Sequence, residues 1–204
     1  MKIKVCGLRQ AENIAALGAL PLDFVGFIFY SKSSRFVAHR PSISLPKKVK
    51  KVGVFVQATL EEIEEKAALF ELDYLQLHGG ESPAFCQALQ QKGYSIIKVF
   101  SVDKDFDWKA LTPYEGLCSF FLLDTKGAAY GGNGVAFDWR LLKNYPSDTP
   151  FFLSGGIAPD SVASLKALDI PQLYGVDINS CFEQAPALKN VGLVQQFTQQ
   201  LKSL

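Results

Sequence analysis

The chain has 204 residues, 48% of them hydrophobic and 20% charged, with a formal net charge of +1. That balance is ordinary for a soluble globular protein and suits one domain over residues 1–204, while the near-neutral charge offers nothing to nucleic acid or an anionic membrane. No apolar run approaches a membrane span and no secretory h-region follows Met1, so a cytoplasmic protein is expected.

The first predicted strand is IKVC near Ile3, followed by CGLRQAEN, which lacks the glycine pattern of a dinucleotide-binding turn. FVGFIF from Phe24 is the second, and the stretch after Tyr30 holds a short helix at most. KVGVFV from Lys51 is the third; the basic run Lys47, Lys48, Lys50 and Lys51 at its start reads as a solvated face. Thr59 to Glu62 forms a capping box, with Ile63, Ala67 and Phe70 behind it at helical spacing. YLQLH from Tyr74 is the fourth strand, and Ser82-Pro83 supplies an N-cap and a first-turn proline for the next helix. SIIKVF from Ser95 is the fifth, and DKDFDWKALTPYEG after it reads as a loop. SFFLLD from Ser119, PFFLS from Pro150 and LYGVDI from Leu173 complete a set of eight. Asp138 is placed to cap a segment through Leu142, Pro159-Asp160 opens another through Leu168, and a last helix is expected from Val191 to Leu201.

The strands are apolar almost throughout, as parallel strands buried on both faces are. Eight of them alternating with helices in a small domain predict an α/β fold, a parallel eight-stranded (β/α)8 barrel with some outer helices shortened or missing. An open doubly wound sheet is the alternative.

In such a barrel chemistry gathers at the carboxyl ends of the strands. There the sequence places Cys6, His78, Asp124 and Asp177. A small buried cysteine, a loop histidine and a loop-capping aspartate are the structural alternatives for each taken alone. Gly155 and Gly156 after strand seven, with Asn179 and Ser180 after strand eight, form a candidate phosphate cradle of backbone N–H groups. Gly131, Gly132, Asn133 and Gly134 make a loop able to close over a ligand. The four cysteines, Cys6, Cys86, Cys118 and Cys181, are too scattered for a metal cluster or a CxxC pair; neither metal nor disulfide is expected.

The strings KVCGLR, GFIFYSKSSRFV, VGVFV, LQLHG, LLDT, GGNG with FDW, SGGI and GVDINSCFE occur in that order from Lys4 to Glu183. Together they resemble phosphoribosylanthranilate isomerase. The resemblance implies an Amadori rearrangement of N-(5-phosphoribosyl)anthranilate in tryptophan biosynthesis, with no cofactor and a small-molecule substrate as partner, in a monomer or homodimer. It implies Cys6 as general base, Asp124 as general acid, Arg35 on the anthranilate carboxylate, and Gly155, Gly156 and the backbone near Asn179 and Ser180 on the phosphate. Asp177 would meet sugar hydroxyls, and His78 would line the mouth. Free cysteine titrates near about 8.5 and free aspartate near about 3.9, so the site has to adjust one or both for these roles. The chain departs from the family pattern at Cys181 and Ala187, where glycines are usual, at Val135, at Asn190 and at Ala158. A histidine-pathway sugar isomerase would need an aspartate in place of Cys6 and a second phosphate cradle; a non-catalytic barrel would have no need of Cys6, Asp124 and Arg35 together.

Overall fold

The computed structural model describes residues 1–125 and 138–203. The predicted Gly131–Gly134 loop and Val135 therefore lie outside the described residues.

All eight expected strands form, and they close on themselves. They are β1 (Lys2–Val5), β2 (Phe24–Ile28), β3 (Lys50–Phe55), β4 (Tyr74–Leu77), β5 (Ile96–Val102), β6 (Phe120–Thr125), β7 (Phe151–Leu153) and β8 (Leu173–Ile178). Each pairs in parallel with its sequence neighbour, and β1 pairs with β8 in the register Lys4↔Asp177 and Val5↔Ile178. Closure removes every sheet edge and puts alternate residues inside. Phe24, Val52, Ile97, Val99, Phe120, Leu122 and Phe152 fill the interior, their rings meeting edge to face. The other face of each strand packs under the helices in a second, larger core.

Local chemistry explains the helices. In α2 (Leu60–Phe70) the capping box is formed: Glu62 N donates to Thr59 Oγ1 at 3.2 Å, and Thr59 N to Glu62 Oε2 at 2.8 Å. Ser82 caps α3 (Pro83–Gln91), and Asn190 caps α5 (Val191–Lys202), whose Val194, Phe197, Thr198 and Leu201 are buried. The first connection carries α1 (Ala11–Gly18), for which the sequence offers no capping side chain.

Other connections are trimmed. Residues 31–49 contain no helix. The expected loop after β5 is instead a 3₁₀ helix, Trp108–Tyr114, because Asp107 accepts from Lys109 N. Asp138 starts a second one, Trp139–Asn144. After β7 a 3₁₀ turn, Pro159–Ser161, leads into the short α4 (Val162–Lys166); Ala158 provides no side-chain cap, and its N–H donates to Ser161 Oγ. A small hairpin of β9 (Glu183–Ala185) and β10 (Leu188–Lys189) precedes α5. Among the described residues no helix is long and apolar enough to cross a membrane.

Candidate active site

Alternation along the strands brings the polar positions to one mouth. Ile3 and Val5 point outward into the larger core, so Lys4 and Cys6 face inward; Leu122 and Asp124 do the same on β6. One cavity at this mouth is lined by Cys6, Arg35, His78, Asp124, Gly155, Gly156, Asp177, Asn179 and Ser180. Every described residue singled out from the sequence is therefore at a single place.

Cys6 sits just beyond β1, its N–H donating to Ile178 O at 3.0 Å. Across from it stands Gly26 of β2, where a Cβ would come within 2.7 Å of Cys6 Sγ. Burial pushes the Cys6 thiol up; the Lys4 ammonium opposes this, the Asp177 carboxylate adds to it, and Lys189 opposes it again. Asp124 does cap its own loop, accepting from Thr125 N at 3.0 Å through Oδ1, while Oδ2 lies 3.5 Å from His78 Nε2. His78 Nδ1 lies 3.4 Å from Gln76 Nε2.

The turn after β7 needs its glycines. Gly155 has φ +82° and Gly156 φ +66°, left-handed values that cost an L-residue about 1–2 kcal/mol. A Cβ on Gly155 would also collide with Thr125 Oγ1 and lie 2.7 Å from Asp124 Oδ1, so the backbone of this turn rests against Asp124 itself.

Arg35 is held on one edge. Its Nε donates to Glu183 Oε1 at 2.9 Å and its Nη2 to Oε2 at 2.7 Å, leaving Nη1 with no hydrogen bond among the described residues. Glu183 also accepts from Lys189 Nζ at 2.5 Å and from Ala187 N at 3.1 Å. Burial works against the Glu183 carboxylate, but the bonds from Arg35 and Lys189 prevail and hold it below the usual carboxylate range. Lys189 Nζ further donates to Asn179 Oδ1 at 2.6 Å, which occupies that side-chain oxygen.

Three charged residues of this site were not singled out from the sequence: Lys4, Glu183 and Lys189. Lys4 Nζ donates to Asp177 Oδ2 at 2.8 Å, with both side chains buried, and Asp177 Oδ1 is buried without a hydrogen-bond partner among the described residues. The one available signal was spacing, since Lys4 lies two residues before Cys6 on the same face of a strand.

The sequence matches, over residues 3–200, a family profile described as N-(5'phosphoribosyl)anthranilate (PRA) isomerase. The chain belongs to the phosphoribosylanthranilate isomerases. An N-(5'-phosphoribosyl)anthranilate isomerase of Parabacteroides distasonis is 46% identical over 206 residues, covering 98% of this chain and 93% of the relative. The crystal structure of phosphoribosyl anthranilate isomerase from Thermotoga maritima superposes with a TM-score of 0.88 at 34% identity, over the whole of both chains. Another phosphoribosyl anthranilate isomerase structure, in complex with reduced 1-(o-carboxyphenylamino)-1-deoxyribulose 5-phosphate, gives a TM-score of 0.85 at 31% identity, again covering both chains fully.

Two departures from the phosphoribosylanthranilate isomerase pattern acquire structural meaning. Ala187, where glycine is usual, keeps the left-handed backbone of the hairpin at φ +67°. Asn190 performs the helix-capping role of an aspartate, accepting from Leu193 N at 3.1 Å. Cys181 lines the cavity beside Ser180 as a free, half-buried thiol.

Proposed function

We propose that this chain converts N-(5-phosphoribosyl)anthranilate into 1-(2-carboxyphenylamino)-1-deoxyribulose 5-phosphate by general acid–base catalysis, with Asp124 as acid and Cys6 as base. The observation that carries the reading is the single cavity lined by both Asp124 and Cys6, with the Gly155–Gly156 turn packed against Asp124.

The phosphate is received by backbone N–H groups of Gly155, Gly156 and the Asn179–Ser180 segment, as in other barrels of this kind. Arg35, steadied on one edge by Glu183, offers its remaining N–H groups to the anthranilate carboxylate. Protonated Asp124 gives its proton to the ribose ring oxygen as the C1′–O bond breaks, and the anthranilate nitrogen lone pair forms the C1′ iminium. That iminium acidifies C2′, whose proton the Cys6 thiolate removes, leaving an enolamine. Tautomerisation places a proton on C1′ and gives the ketone. The substrate's own nitrogen serves as electron sink, so no step calls on a metal or organic cofactor. Asp177, which lines the cavity, accepts from a sugar hydroxyl. His78 lies beside Asp124 in this arrangement.

The reading is tested by Cys6→Ser and Asp124→Asn. Each should lower kcat by at least about a hundredfold while the variant stays folded and still binds the reduced product analogue. Near-normal kcat in either variant refutes the role assigned to that residue.

A further inference from the structure

Lys4 is the largest polar side chain sealed inside the barrel, at 0% exposure, and burying an ammonium is costly unless it answers a negative charge. One such charge is Asp177, across the β1–β8 seam in register with it and 2.8 Å from its Nζ. Packing alone would be served as well by an apolar pair at these two positions. An ammonium carries three N–H donors, and the Asp177 bond uses one.

The second neighbour is the Cys6 sulfur. Alternation sets Cys6, two residues on, on the same inward-facing side as Lys4, and the Lys4 ammonium acts on the buried thiol in opposition to burial. On the opposite side Cys6 Sγ is pressed against Gly26 of β2, which brings no charge. The charged groups that act on the sulfur are thus Lys4 from its own strand, Asp177 from β8 and, at longer range, Lys189 from β10. Asp124 from β6 and His78 from beyond β4 act in turn on Asp177.

We propose that Lys4 is a positioning residue of the reaction, the counter-ion that lets the buried Cys6 sulfur exist as a thiolate. The inference rests on Cys6 being the base, but it concerns a residue that does not itself touch the substrate. With Lys4 and Asp177 paired, the cluster is neutral while Cys6 is a thiol and carries one net negative charge when it is a thiolate. Without Lys4 the cluster is already negative at rest, and thiolate formation adds a second negative charge in a largely buried site. Asp177 therefore opposes the thiolate and Lys4 favours it, so removing one or the other should move Cys6 in opposite directions.

The experiment is iodoacetamide alkylation of Cys6 in the unliganded protein against pH, with the modified peptide quantified by mass spectrometry so that Cys86, Cys118 and Cys181 do not contribute. Since the thiolate is the reactive form, Lys4→Met should slow Cys6 alkylation at neutral pH by about tenfold or more and shift the profile alkaline. Asp177→Asn should quicken it. If Lys4→Met fails to fold, the comparison of Lys4→Met/Asp177→Asn with Asp177→Asn isolates the same charge in a neutral interior, and the double variant should be the slower. A Cys6 profile indifferent to Lys4 in the folded pair overturns the proposal. The acid limb of kcat/KM, measured in parallel, reports on the base itself. If that limb stays put while alkylation moves with Lys4, Cys6 is not the base and the counter-ion assignment to its sulfur still stands.

Discussion

Replacing Arg35 by Met separates recognition of the anthranilate carboxylate from support of the mouth. The guanidinium gives one edge to Glu183, at 2.7 and 2.9 Å, and the Nη1 end remains for ligand. A carboxylate contact partly shielded from water is worth about 2–4 kcal/mol when one partner is removed, which is a factor of about 30 to 1,000. KM for the anthranilate substrate should rise by an amount in that range, with a smaller fall in kcat. Stability should suffer less than the roughly 3–5 kcal/mol typical of a broken buried ion pair, because Glu183 keeps Lys189 Nζ at 2.5 Å and Ala187 N at 3.1 Å. The assay follows loss of anthranilate-type fluorescence with freshly formed substrate. Its control is the aniline analogue that lacks the carboxylate, which wild type should handle poorly and Arg35→Met scarcely worse. Equal losses on both substrates would refute the reasoning and leave Arg35 as a brace for Glu183 alone.

Gly155→Ala should lower both thermal stability and kcat, because its Cβ meets Thr125 and Asp124, whereas Gly93→Ala, at φ +88° with nothing within 4 Å, should cost only the backbone strain of about 1–2 kcal/mol and leave kcat intact. Equal kcat in the two variants would separate the β7 turn from the acid. Asp23→Asn should weaken the tie of the segment before β2 to β1 and α5, since Asp23 accepts from Lys2 and Lys202, each at 2.8 Å, and from Ile3 N. Burial opposes the Asp23 carboxylate, but these bonds win and hold its pKa below the ordinary value, so wild type gains stability above that value and loses the gain as pH falls through the folded one. Urea unfolding should show a deficit of about 1–2 kcal/mol near neutrality that shrinks below about pH 4; a deficit unchanged by acid would contradict the linkage.

The barrel was legible because each strand is short, apolar and punctuated, and because Thr59, Ser82 and Asp138 cap the segments after them with their own side chains. What escaped reading lacks local marks. Helix α1 begins after Gln10 with no cap, and the hairpin of β9 and β10 is only a few residues long. Cys6, His78, Asp124 and Asp177 stood at strand ends, where alternation alone directs them inward. Their charged supports did not. Lys4 looks like a surface lysine until β1 meets β8, 173 positions away in sequence, and Arg35 finds Glu183 across 148. Long-range ion pairs leave no periodicity in a sequence, so barrel closure has to be known before they can be paired.

In the proposed mechanism Cys6 takes the C2′ proton and Asp124 gives the ring-oxygen proton. Substrate deuterated at C2′ tests this directly through the isotope effect on kcat. With Cys6→Ser, proton abstraction should limit the rate and the effect should be a full primary one. With Asp124→Asn, ring opening should limit the rate and the effect should fall close to unity. The opposite pattern, a large effect in Asp124→Asn and none in Cys6→Ser, would exchange the two roles and contradict the account.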